Sequence, residues 1–494
     1  MSTSTSTEGR GRGNGRKGRD GGDGGDGHDG RKSDRSDRSD RMVTQRTVRW
    51  VDQRLGAARF ARTALGKVFP DHWSFMIGEL ALYAFVILVL TGVYLTFFFD
   101  PSLTEVVYRG SYEPLEGVEM TEAYRSALEL SFDIRAGLVM RQIHHWAAVV
   151  FVAAIVVHLA RVFFTGAFRR PRELNWIIGV TLLILAIFNG FAGYSLLDDQ
   201  LSGTGLRIAY NIALSIPLAG TWVASLLFGG EFPGPDIITR LYVIHVLLVP
   251  AVIVVLLVAH LGILIRQKHT QFSGPGRTEK NVVGERVWPT YASKALGLFF
   301  LTTAMLCALG GLAQINPIWI YGPFEAADVS SASQPDWYLG WTDGALRIFP
   351  AWEIRAFGFT VANAFFPGVL LPGVTFGLLY MWPFLEARFT GDRDEHNLCD
   401  RPRDRPLRTA MGVATLTFYG VLFAAAGADV LSTTFSLSVN AVFWTFRVLV
   451  FAAPPLAAWA AYRLCKELAE RDAPEAQPPV DRSGNEAATV PLDA

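Results

Sequence analysis

Long apolar blocks with few charges alternate with shorter polar connections along most of this chain. A helix rises about 1.5 Å per residue, so about 20 apolar residues cross the hydrocarbon core of a bilayer. Eight blocks meet that length, which we number α1 (74–99), α2 (137–164), α3 (175–197), α4 (241–265), α5 (293–313), α6 (357–384), α7 (409–428) and α8 (437–464). A further stretch, 212–228 (IALSIPLAGTWVASLLF), is nearly as long. Charge decides against it as a span. With eight spans, the connections after α1, α3, α5 and α7 carry 7 Arg, no Lys and 18 Asp and Glu, whereas those after α2, α4 and α6 are rich in Lys and Arg. The positive-inside rule then places both termini in the cytoplasm. A ninth span would send the basic 266–294 loop outside. Residues 212–228 are therefore expected as a helical hairpin on the outer face, bent near Pro217 and Gly220.

The ends read differently. Residues 1–47 form a low-complexity tail that holds 11 of the 47 glycines, and disorder is expected there. Residues 48–72 mix Trp50, Leu55, Phe60 and Leu65 with Arg49, Arg54, Arg59, Arg62 and Lys67, the pattern of an amphipathic helix on a membrane surface. Residues 73–270 hold α1–α4 and 271–466 hold α5–α8; a second disordered tail is expected over 467–494. The expected fold class is an all-α integral membrane protein.

Composition narrows the function. Forty-five basic and 45 acidic residues cancel, which argues against a nucleic-acid partner. Half the residues are hydrophobic, which argues against an ordinary soluble enzyme. Three dispersed cysteines (Cys307, Cys399, Cys465) exclude a disulfide scaffold, a CxxC metal site and a CxxCH haem attachment.

Histidines inside the spans carry the chemistry, because an ionisable or metal-binding side chain there is costly. His144 and His158 on α2 are 14 residues apart, about 3.9 turns, and so share a face. His245 and His260 on α4 are 15 apart, about 4.2 turns, and lie within about 60° of one face. Since α2 and α4 run in the same direction, His144 pairs with His245 near the outer face and His158 with His260 near the inner one. Two imidazoles per site suit the two axial positions of a haem iron, whereas zinc asks for three or four protein ligands. Gly78 and Gly92 on α1, and Gly179 and Gly193 on α3, repeat the 14-residue spacing. They are expected to leave side-chain-free notches for a flat macrocycle at each depth. Arg141, Arg161 and Arg240 flank the ladder and could pair with haem propionates, although Arg161 serves equally as a cytoplasmic anchor. His145 points about 100° away from His144 and is expected to make an ordinary interhelical hydrogen bond. A membrane transporter relaying protons through these histidines is a rival reading, but it predicts broken helices or inverted repeats and does not need the glycine pairs. A small dihaem b-type anchor would not need α5–α8.

The segments RQIHHWAAVVFVAAIVVHLAR and TRLYVIHVLLVPAVIVVLLVAH, with Pro335-Asp336-Trp337-Tyr338 between α5 and α6, resemble cytochrome b of the quinol–cytochrome c reductase (cytochrome bc) complex over roughly residues 48–466. The stretches AQINPIWIYGPFEAADVSSASQPDWY, RFTGDRDEHNL and DRPRDRPLRTA are similar to the bacterial menaquinol-oxidising branch. The resemblance implies two haem b groups and an outer quinol-oxidation site. There Asp336 accepts the proton, with Tyr338 as the second catalytic residue and Tyr194, Pro335 and Trp337 lining the pocket. One electron would pass to a Rieske iron–sulfur subunit. The other would cross both haems to an inner quinone-reducing site, contributing to the proton gradient. The implied partners are the Rieske subunit and cytochrome c or a c-type haem subunit, in a homodimeric complex of the plasma membrane. The resemblance leaves room for a haem-copper oxidase in a supercomplex. Leu197 stands where the family pattern has proline after Gly193-Tyr194-Ser195-Leu196, which keeps open a haem-binding paralogue with impaired quinol turnover. Ile265 stands where mitochondrial-type relatives have the inner-site histidine, leaving Lys268, His269 and His72 as cytoplasmic-side candidates for proton delivery.

Overall fold

A computed structural model of the chain describes residues 65–328 and 334–472, together with 46, 49, 50 and 52–54. Residues up to Lys67 form a unit of their own. Within it residues 49, 50 and 52–54 are helical, and the Arg54 guanidinium lies 4.2 Å over the Trp50 ring. The rest of the predicted surface helix up to residue 64, and most of the N-terminal tail, lie outside the described residues.

In the larger unit, among the described residues, eight helices are long and apolar enough to cross a membrane. They are α1 (Trp73–Thr96), α2 (Gly137–Phe164), α3 (Glu173–Leu197), α4 (Ile237–Gln267), α5 (Val287–Leu312), α6 (Phe366–Thr390), α7 (Pro406–Ala426) and α8 (Val439–Arg471). Two limits and one internal turn depart from the plain expectation. α6 begins at Phe366 rather than 357, because residues 354–361 form an antiparallel hairpin that turns through Phe357 and Gly358, both at positive φ. α8 continues to Arg471, past the expected helix end at 464; Arg403 pairs with Asp472 at 2.6 Å just past the helix end. α4 contains a π turn at Ile244–Leu248. A π turn takes one residue more than an α turn, which helps to absorb the longer histidine spacing on this helix.

The 212–228 stretch does not span. A helix at Gln200–Leu214 and another at Gly220–Phe228 are joined through Leu218, whose φ of 63° breaks the run. α1 to α4 enclose a core of Ala84, Phe85, Phe151, Val152, Leu183 and Ile253. Tyr338, from the short helix Trp337–Ile348, plugs into the same core. That short helix also packs on α7 and α8 through Ala345, Ile348, Leu422 and Phe446. Leu247, Val255 and Val258 on α4 and Leu301 on α5 face outward, as a lipid-facing surface requires.

Candidate functional site

His144 and His245 project from α2 and α4 into a cavity of about 310 Å³ that Gly92, Arg141, Gly193 and Leu197 also line. Their ring centroids are 6.1 Å apart with the planes at 73°. That separation leaves room for one metal atom bonded at about 2 Å to a nitrogen of each ring. Hydrogen bonding sets the tautomers. The Thr91 hydroxyl donates to the Ile87 carbonyl at 2.7 Å, so His144 Nδ1–H is the donor in its 2.9 Å contact with Thr91 Oγ1. His245 Nδ1–H donates to the Asn189 carbonyl at 2.9 Å. Each ring therefore keeps its lone pair on Nε2, the tautomer that a metal ligand needs. His158 and His260 form the inner pair and act on one another electrostatically. Their Nδ1 atoms are buried without a hydrogen-bond partner.

The four glycines pair with the four histidines. A methyl group on Gly92 would sit 3.2 Å from Cε1 of His144, and one on Gly193 would sit 2.4 Å from Cε1 of His245. At the inner depth the distances are 3.2 Å from Gly78 to His158 and 3.7 Å from Gly179 to His260. The nearest side chain at each notch is the imidazole edge. The glycines let each ring lie against the neighbouring backbone.

The arginines diverge. Arg141 is 5% exposed; Nη1 donates to the Asn316 carbonyl at 3.2 Å, while Nε and Nη2 are buried and unpartnered. Arg161 stacks 4.2 Å over Phe75 and lies 3.7 Å from the Cys399 sulfur. Arg240 turns away from the ladder: it bonds the Leu226 carbonyl at 3.0 Å and pairs with Asp236 at 3.5 Å. It is not among the residues that line the His144–His245 cavity. The two bare Nε2 atoms of His144 and His245 and a buried guanidinium with two unsatisfied nitrogens fit haem iron and a carboxylate. A zinc-like cluster of three or more His, Cys, Asp or Glu does not occur among the described residues.

Next to the His144–His245 cavity lies a second one, of about 280 Å³, lined by His145, Tyr194, Tyr321, Pro335, Asp336 and Trp337. Asp336, Tyr194 and His145 line both cavities. Asp336 precedes the first turn of the Trp337–Ile348 helix, with its carboxylate held from two sides. His145 Nε2–H donates to Oδ1 at 2.8 Å, and the Tyr338 hydroxyl donates to Oδ2 at 2.9 Å. Burial, then the Asp336 charge, push the Tyr338 phenol well above its ordinary pKa, so it stays a donor. Gly190 permits this packing, since a methyl group there would meet Tyr338 Oη at 2.4 Å. Gln334 anchors the loop by donating to Asp429 at 2.6 Å. A third, apolar pocket shares Tyr194, Leu201 and Pro335 with this cavity. Ser195–Leu197 ends α3 as a 3₁₀ turn without the family's proline.

Sequence reasoning missed the site role of His145, because its partner lies 191 positions away. It also missed Thr91, Asn189 and Gly190. Gly190 carried a faint signal as a glycine three before Gly193. Beyond the end of α4, His269 packs against Phe69 at 4.6 Å. Burial, then Arg161 and Arg172, push it down to about 4, so it is neutral at pH 7. His72 is likewise lowered by burial and Arg161.

Residues 149–323 match the family model described as "Cytochrome b(N-terminal)/b6/petB". The chain is 51% identical over 428 residues to the cytochrome bc1 complex cytochrome b subunit of Streptomyces coelicolor, covering 87% of this chain and 78% of that one. It is 52% identical over 431 residues to the subunit of the same name from Mycobacterium tuberculosis, with the same coverage. A structure titled "Hyperthermophilic respiratory Complex III" superposes with a TM-score of 0.64 at 22% identity, over 84% of this chain and 100% of that one, and shows the fold.

Proposed function

The chain belongs to the cytochrome b subunits of cytochrome bc1 complexes, and from that premise we propose that it oxidises menaquinol at the Asp336 cavity and conducts electrons inward to a quinone-reducing site. Such a subunit is an electron-transfer part of a quinol–cytochrome c oxidoreductase. The observation that carries the reading is the shared wall: Asp336, His145 and Tyr194 border both the quinol-sized cavity and the cavity of His144 and His245.

His144 and His245 would hold the outer haem b, and His158 and His260 the inner one; these groups supply two one-electron carriers at two depths. Thr91 and the Asn189 carbonyl orient the outer ligands, and Arg141 offers its free nitrogens to a propionate. In the second cavity, Trp337, Pro335 and Tyr194 pack an apolar ring, and the adjoining apolar pocket takes a prenyl tail. Quinol loses two electrons and two protons overall. Asp336 accepts one hydroxyl proton, held in line by His145 and Tyr338, and the second proton leaves to the outer water, while one electron leaves to a Rieske iron–sulfur partner and the other goes inward. Cytochrome c or a c-type haem subunit takes the electron onward from that partner. Proton release outside and uptake inside contribute to the gradient across the plasma membrane, with both termini in the cytoplasm. Leu197 lines the outer cavity in place of proline, and the 3₁₀ turn there keeps Tyr194 in the shared wall. The test is steady-state menaquinol oxidation by the intact complex carrying Asp336→Asn. A large loss of rate with both haems retained supports the reading, and unchanged turnover removes Asp336 from it.

A further inference from the structure

Directly after α3 the chain reads Asp198-Asp199, and both side chains are buried, 7% and 0% exposed. Asp198 is satisfied, since Thr121 Oγ1 donates to its Oδ2 at 2.7 Å. Asp199 is only half satisfied. Its Oδ1 accepts the Ser202 N–H at 2.9 Å as the N-cap of the Gln200–Leu214 helix, while Oδ2 is buried without a partner. A cap uses one oxygen, so capping does not account for the second. Arg141, on α2, mirrors this: one nitrogen is held by Asn316, and two are buried and unpartnered. The two opposite charges act on one another, yet their free atoms make no hydrogen bond. Arg141 is also the guanidinium that lines the His144–His245 cavity.

We propose that Asp199 is the redox-linked acid of the outer haem site, taking up a proton on Oδ2 when an electron arrives on the far side of Arg141. The proposal rests on the haem reading above and goes beyond it. The balance is simple: one electron enters the site, and up to one proton moves from the outer solvent to the carboxylate, forming an O–H bond. Added negative charge beside Arg141 weakens that cation's hold on the carboxylate, which favours the neutral acid. The groups that face Asp199 are Asp198 beside it, Arg141 on α2, Tyr194 on α3, Tyr124 on the Glu122–Phe132 helix, and Tyr321. Burial pushes the Asp199 carboxyl up to about 6, with Ser202 and Arg141 pulling the other way. Reduction at the outer site therefore becomes easier as pH falls through that region.

Spectroelectrochemical titration of both haems in the intact complex, from about pH 5 to 8, tests this. Asp199→Asn keeps a good cap and removes the charge. The expected result is an outer-haem equilibrium shifted about tenfold toward reduction, about 59 mV for one electron. Its pH dependence should be lost and the inner haem unchanged. Asp198→Asn should leave the pH dependence in place. A wild-type pH slope in Asp199→Asn with both haems bound overturns the proposal. Should that variant fail to assemble, redox-difference infrared spectra of the wild type decide. A protonated carboxyl band that grows on reducing the outer haem supports the proposal; its absence overturns it. Wild-type protein without any low-spin haem overturns the underlying haem reading, a failure visible before any pH titration.

Discussion

His145 Nε2 lies 2.8 Å from Asp336 Oδ1, joining α2 to the loop between α5 and α6. The contact turns a histidine that looked incidental on the helical wheel into a support for the candidate proton acceptor. It sets up a graded expectation. Asp336→Asn removes the acceptor and should lower menaquinol oxidation by about 100-fold, within the usual range for general acid–base groups. His145→Leu removes one donor and leaves the carboxylate, so its loss should be nearer tenfold, with His145→Gln intermediate. Stopped-flow quinol oxidation with haem content as the control checks the order. Equal rates for His145→Leu and wild type would remove His145 from the site.

The glycines make a sharper steric prediction. A methyl group on Gly193 would stand 2.4 Å from His245 Cε1, whereas one on Gly179 stands 3.7 Å from His260 Cε1, an ordinary contact. Gly193→Ala should therefore displace the outer ligand and lose one haem, while Gly179→Ala should keep both. Haem quantification in membranes reads this directly, and equal retention in the two variants contradicts the cradle.

Thr91 accepts the Nδ1–H of His144 and so keeps its Nε2 lone pair available. Thr91→Val keeps the shape and removes the acceptor. Outer-haem retention under a competing apo-haem acceptor should fall by about 10- to 100-fold, the usual cost of losing such a support. Inner-haem retention should not change.

Asp198 yields a pH-dependent stability. Burial raises its carboxyl to about 6, against about 3.9 in an unfolded chain. The folded protein thus binds more protons across that window. Stability falls as pH rises from about 4 to 6 and stays lower above it. Asp198→Asn removes this penalty and still accepts from Thr121. At pH near 7.5 the thermal midpoint of the solubilised complex should rise, by on the order of 2 kcal/mol in stability. Below about pH 4 the gain should vanish. An equal gain at both pH values would point to a different cause.

The histidine ladder was legible because four side chains and four glycines repeat one helical period, a pattern that local sequence displays. The eight spans and the non-spanning 212–228 hairpin were legible for the same reason, from apolar length and loop charge. What escaped depends on distant partners or on backbone detail. The Asp336–His145 contact crosses 191 positions, and the charge interaction of Asp199 with Arg141 joins the segment after α3 to α2. The stretch FGFTVANAFF is apolar enough to pass as the start of α6, yet Phe357 and Gly358 turn it into a hairpin. The π turn at Ile244–Leu248 has no composition of its own; it shows only as one extra residue between His245 and His260.

The central claim is that two histidine pairs at two depths each hold a haem. A dithionite-reduced minus oxidised difference spectrum of the purified complex, recorded for wild type and for His144→Ala, tests it most directly. The account predicts two low-spin bis-histidine b haems in the wild type, and loss of one with the other retained in the variant. A wild-type spectrum without low-spin b haem, or a His144→Ala spectrum with both haems intact, would contradict it.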